Sequence, residues 1–110
     1  MADSRPLEFA RRREGMEHAL DGGLWFHRHV HNGEPMAHIV SSDKQLLLRV
    51  GRLLGMRPQW LQYKPLKHPR SSRRVPAWHW DLRGQSLVAG SELVGPEVAA
   101  GDEVGVGPLS

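Results

Sequence analysis

The chain has 110 residues, 15 of them Lys or Arg and 12 Asp or Glu, for a formal net charge of +3. Its 25% charged and 39% apolar residues are ordinary for one small soluble domain. Without cysteine, disulfides, thiolate metal sites and a Cys nucleophile are excluded; no apolar run approaches the ~20 residues of a membrane span, and the opening MADSRPLEF has no charged stretch leading into an apolar one, so the expectation is a cytoplasmic protein without membrane association.

The charge is unevenly placed. Residues 1–83 hold all 15 basic residues and 8 acidic ones, a balance of +7, whereas residues 84–110 hold 4 acidic and no basic ones, −4. The end of the chain, GPEVAAGDEVGVGPLS, has no large apolar side chain before Leu109 and cannot offset the entropy of ordering itself. The expectation is therefore a single domain over residues 1–94 and a flexible, acidic, Gly-rich tail over 95–110. A domain of this size buries only about 60–65% of its unfolded surface, so pairing with a protein partner or as a homodimer would add stability.

In chain order, Ser4-Arg5-Pro6-Leu7 reads as a helix start, a Ser cap followed by Pro in the first turn, and predicts an N-terminal helix over about 5–20. Leu7, Phe9, Ala10, Met16 and Leu20 would line its inner face, leaving Arg11, Arg12 and Arg13 mostly in water. Trp25, His27, His29 and His31 then alternate with Phe26, Arg28 and Val30, the period of a strand, and Asn32-Gly33 is a strong signal for a tight hairpin turn into a returning strand that ends near residue 41. Ser42 with Gln45 fits a capping box, Leu46, Leu47, Val50, Leu53 and Leu54 share a helical face, and Gly55 suits the C-terminal cap, which predicts a packed helix over 43–54.

After a single turn at Pro58-Gln59-Trp60, residues 63–76 (YKPLKHPRSSRRVP) contain three prolines and six basic residues counting His68, with no periodicity, and are expected to form a long extended loop. Residues 77–82 resume as a strand and 85–94 as a weak final helix broken by Gly90. The fold class is α+β: a short sheet made of the 24–41 hairpin and the 77–82 strand, with the 43–54 helix packed on it.

Three groups of residues carry candidate chemistry. His27, His29 and His31 share one face of a strand, with successive members about 6.5–7 Å apart. A divalent metal (Zn, Mn or Ni) held by two of these imidazoles would be completed by His38 or Asp81 from a neighbouring strand; the plain alternative is a solvent-facing strand whose histidines only titrate. Lys64, Lys67, Arg70, Arg73 and Arg74 lie between Trp60 and Tyr63 on one side and Trp78 and Trp80 on the other, pairing cations for phosphates with flat rings for bases; the alternative is that the rings are core or interface anchors. His79 and Asp81, two apart on a strand, share a face on which the carboxylate would orient an imidazole. No phosphate-binding loop, dinucleotide fingerprint or HExxH motif is present.

Taken in order, Ala37-His38-Ile39-Val40, the helix ending at Leu54-Gly55, Trp60-Leu61-Gln62 and His79-Trp80-Asp81-Leu82 resemble the bacterial and phage proteins grouped as domain of unknown function 4031, over about residues 24–94. The stretch between Gln62 and His79 is longer and more basic than that family's pattern, and RGQSLVAGSELVG replaces its usual last helix. The resemblance implies no activity, but it directs attention to His38, Trp60, His79 and Asp81. Three functions remain open on this reading. The first is a binding module for nucleic acid or a nucleotide. The second is a metal-dependent hydrolase or nuclease with His38, His79 and Asp81 as catalytic candidates and His27, His29, His38 and His79 as metal ligands. The third is a phage-type interaction or inhibitor protein with a protein partner.

Overall fold

The computed structural model describes residues 5–101. Its elements are α1 (Arg12–Leu20), β1 (Trp25–His31), β2 (Glu34–Ser41), α2 (Lys44–Leu53), a 3₁₀ turn (Pro58–Trp60), β3 (Gln62–Tyr63), β4 (Leu66–Lys67), β5 (Arg74–Val75), β6 (Trp78–Leu82) and α3 (Gly84–Leu93). This is an α+β domain with an antiparallel sheet of order β1-β2-β6-β3 and a separate two-stranded ladder of β4 and β5. Asn32 and Gly33 adopt φ of 51° and 79°, the left-handed pair that a two-residue hairpin loop requires, and they set the register in which His27 faces His38.

Strand alternation divides the sheet into two unlike faces. Phe26, Ala37, Ile39, Trp80 and Leu82 point one way and form the core with Leu24 and with Leu47 and Val50 of α2. Trp80 Nε1 donates to the carbonyl of Leu47 at 2.8 Å, tying β6 to α2 inside this core. The helix comes so close here that a Cβ on Gly51 would overlap the Trp80 ring. On the second face α1 crosses Trp25 and Val40, burying Ala19 against them with Met16, Phe9 and Leu66 at the margin. A side chain on Gly15 would collide with the Trp25 indole, so this contact also depends on a glycine. Because α1 covers only the Trp25 end, the histidine-bearing part of the face stays open.

Several boundaries differ from expectation. The first helix begins at Arg12 rather than near residue 5, with Arg11 at its cap; Ser4 lies outside the described residues. Leu7, expected on that helix, instead pairs with the sheet edge: its N–H donates to Leu24 O at 3.0 Å, and Phe26 N–H donates to Leu7 O at 2.9 Å. The edge strand's unpaired groups outcompete an isolated helical turn. The cap of α2 is Asp43, whose Oδ1 accepts from Leu46 N–H at 3.1 Å, while Ser42 Oγ donates to Leu20 O. Helix α3 is continuous through Gly90, where a Cβ would press on Leu82. Of the expected tail, Gly95 donates to Pro6 O and Val98 to Glu8 O, so residues 95–98 line the N-terminal arm; residues 102–110 lie outside the described part.

The expected loop over 63–76 is a small hairpin. Leu66 pairs with Val75 and Lys67 with Arg74, and the turn passes through Ser72 at φ 61°. Its tip is latched to the end of α1: His68 Nε2 hydrogen-bonds Asp21 Oδ1 at 3.0 Å, and Arg70 donates to Asp21 Oδ2 at 2.7 Å. Three prolines hide the pairing from any periodicity test, but none of them falls on a paired position.

Candidate metal centre and its cleft

The sheet register brings four histidines and one aspartate together. His27 on β1 faces His38 on β2, which in turn faces Asp81 on β6. The diagonal neighbours close the row: ring centroids are 6.3 Å apart for His27 and His29, 4.5 Å for His29 and His38, and 5.0 Å for His38 and His79. His27 also stacks on Trp25 at 4.7 Å. His31, the last of the alternating set, is exposed at the hairpin end opposite Glu34.

Within this row His38, His79 and Asp81 each offer one donor atom, all within 4.8 Å of one another. His38 Nε2 stands 2.9 Å and His79 Nε2 3.3 Å from Asp81 Oδ1. These separations match the ~3–3.5 Å between ligand atoms on a metal with bonds of about 2.0–2.2 Å. Yet Oδ1 is buried and accepts no aligned hydrogen bond, whereas His68 and Asp21, at 3.0 Å, do make one. The two imidazole edges approach the same oxygen, and the three groups together could hold a cation. The other oxygen, Oδ2, accepts from Gln62 Nε2, which fixes the carboxylate's rotation.

Electrostatics keeps the imidazoles neutral and able to ligate. Burial, opposed by Asp81, pushes His38 down to about 4, with His79, His29 and His27 lowering it further. Burial also lowers His79, against Asp81, and Lys64 adds to the lowering. His27 is lowered by burial, then by Arg12 and His29. A metal binding at neutral pH would displace no proton from His38.

The four histidines form the floor of a cleft of about 250 Å³, with walls that include Arg12, Met16, Trp25, Lys64 and Leu66. Helix α1 supplies one wall and the segment leading into the hairpin the other. Arg12 is exposed, as expected, and its guanidinium lies 5.9 Å over the Trp25 ring at the border of the cleft. Neither it nor Gln62 carried a signal in the linear pattern, since both are brought in by long-range packing.

The basic, Trp-flanked segment is less unified than its sequence suggests. Trp80 is 1% exposed and belongs to the core, so it is not a stacking surface. Trp78 packs beside Tyr63 at 5.2 Å under Lys44, on the face of the sheet opposite the histidines. Arg70 is engaged by Asp21 and by Glu17. Lys67, Arg73 and Arg74 are exposed on the hairpin, and Trp60 is 51% exposed. Among the described residues, no helix is long and apolar enough to cross a membrane. No family model matches the chain, and neither a curated protein nor a solved structure was found that matches it.

Proposed function

We propose that the chain is a metal-dependent hydrolase of phosphate esters. The observation that carries this reading is the convergence of His38, His79 and Asp81 on one point, with the carboxylate oxygen left without an aligned donor. Two imidazoles and one carboxylate leave coordination positions open, which is the mark of a catalytic rather than a structural site. A divalent metal there supplies an activated water and polarises a phosphoryl oxygen. Arg12 and Lys64, both bordering the cleft, would bind the phosphate and balance its charge, while Gln62 holds Asp81 in position. The exposed Lys67, Arg73 and Arg74 would raise the local concentration of anionic substrate. The resemblance to domain of unknown function 4031 is part of the same proposal, because three of its motif residues, His38, His79 and Asp81, form this site.

The test is a calorimetric titration of chelator-treated protein with Zn, Mn, Ni and Fe(II), followed by turnover of aryl phosphate mono- and diesters. One metal should bind, raise the thermal midpoint and switch on hydrolysis, and Asp81→Asn and His79→Ala should lose both properties. If none of these ions raises the midpoint, the proposal fails. The same donor set holds iron in oxygen-activating enzymes, so iron binding without hydrolysis would redirect the chemistry. A second reading, a binding module for a polyanion, is favoured by the hairpin's exposed cations Lys67, Arg73 and Arg74. It predicts affinity for mixed oligonucleotides that is independent of metal and falls steeply with salt.

A further inference from the structure

Asp81 lines one cavity and lies beside His38 and His79, which line another. Its Oδ1 faces the imidazoles, whereas its Oδ2 accepts from Gln62, and these two residues together line an open groove of about 580 Å³. Met56, Trp60, Arg83 and Gln85 also line it. Its volume lies within the range of small-molecule sites, roughly 300–1,000 Å³. Resting on the metal reading above, we propose that this groove holds the base of a nucleoside phosphate, with Trp60 as the stacking platform, so that the substrates of the metal site are nucleoside phosphate esters.

Three observations converge on a base. Trp60 is 51% exposed, although it is the most expensive side chain to leave in water, and the Arg57 guanidinium lies over its ring at 5.8 Å. A base offers a flat face to such a ring whatever its identity. Gln85 makes no side-chain hydrogen bond among the described residues, and a carboxamide presents the paired donor and acceptor that a base edge matches. An aliphatic ligand would leave Gln62, Gln85 and Arg83 facing apolar groups, at a desolvation penalty. Finally, Trp60 stands two residues before Gln62, whose side chain touches the metal set's own carboxylate. Trp60, Gln62 and Asp81 all line this groove, so a ligand there meets both the ring and the carboxylate.

The experiment uses the full chain loaded with Mn, or with whichever metal the titration above selects. Adenosine 5′-monophosphate, thymidine 5′-monophosphate and ribose 5-phosphate are titrated by calorimetry into wild type, Trp60→Ala, Trp60→Phe and Gln85→Ala. At least one nucleotide should bind about tenfold or more tightly than ribose 5-phosphate to the wild type. That advantage should disappear in Trp60→Ala, return in Trp60→Phe and shrink in Gln85→Ala. Equal binding of nucleotides and ribose 5-phosphate by the wild type, or an advantage that survives Trp60→Ala, overturns the assignment. Repeating the ribose 5-phosphate titration with chelator separates the two readings. Loss of binding on metal removal supports the metal site whatever the groove does. Indifference to metal, with adenosine 5′-monophosphate still bound through Trp60, leaves a base site and removes the hydrolase.

Discussion

Acidifying the metal-free protein should destabilise it well before its carboxylates titrate, and His38 should carry the largest identifiable share. Burial, partly opposed by Asp81, holds its imidazole at about 4 in the fold, against 6.5 in the unfolded chain. Between those values the unfolded chain takes up a proton that the folded one refuses. The contribution is therefore fully present above about pH 6.5 and is lost as the pH falls through the folded value near 4. At about pH 5 the unfolded imidazole is almost fully charged and the folded one roughly one-tenth charged, which integrates to about 2 kcal/mol. The side chain is 33% exposed, and solvent screening reduces the figure to about 1–1.5 kcal/mol. The assay is urea unfolding in the presence of chelator, at about pH 7 and about pH 5, for wild type and His38→Gln. The glutamine lowers stability at both pH values, but its loss on acidification should be about 1 kcal/mol smaller than that of wild type. Equal losses in the two proteins would refute the account, because the burial of His38 would then not oppose its protonation.

Gln62→Ala should leave the fold intact and weaken metal binding about 10–100-fold, since it frees the carboxylate that Gln62 orients; calorimetry reads the constant directly. Gly51→Ala should destabilise by about 1–3 kcal/mol despite the better helix propensity of alanine, because its methyl meets the Trp80 ring; a stabilised variant in urea unfolding would contradict the close approach. Asp21→Ala removes the partner of both His68 and Arg70 and should raise amide hydrogen exchange across residues 66–75 without unfolding the sheet. If a polyanion binds the hairpin, the double variant Arg73→Ala, Arg74→Ala should flatten the salt dependence of its affinity by roughly two ions; an unchanged slope would take these side chains out of contact with phosphate.

The parts of the fold that were legible are those that local chemistry dictates. Asn32-Gly33 asks for two successive left-handed residues, and the observed register follows from that turn. Helix α2 shows most of its apolar face and its closing glycine in the linear pattern; the cap moved by one residue, from Ser42 to Asp43, and Leu53, expected on the packed face, is exposed. The first twelve residues misled because Ser4-Arg5-Pro6 satisfies a helix start locally, while the competing partner, the edge of β1 at residues 24–26, lies far along the chain. The 63–76 stretch misled for a related reason. Its two residue pairs are too few to make a period, and its main anchor is Asp21, some 47 residues away from His68.

The site was legible as residue types but not as a choice between them. Alternation put His27 and His29 on one face, and the HxD spacing put His79 beside Asp81. Whether those rows meet depends on β2 pairing with β6 so that His38 faces Asp81, a register no local pattern contains. Once it is known, strand parity separates the residues on which the two leading readings rest. Trp78 and Trp80 alternate with His79 and Asp81 on the same five-residue strand, so the two pairs face opposite sides of the sheet. If the tryptophans of β6 served a ligand, its phosphates would lie a full sheet thickness from the histidines. The burial of Trp80 and its hydrogen bond to Leu47 give that side to the core and leave His79 and Asp81 on the open one. Trp60 escapes this constraint because it precedes β3 and lies off β6 altogether. It lines the same groove as Asp81, and the proposed base site rests on that position.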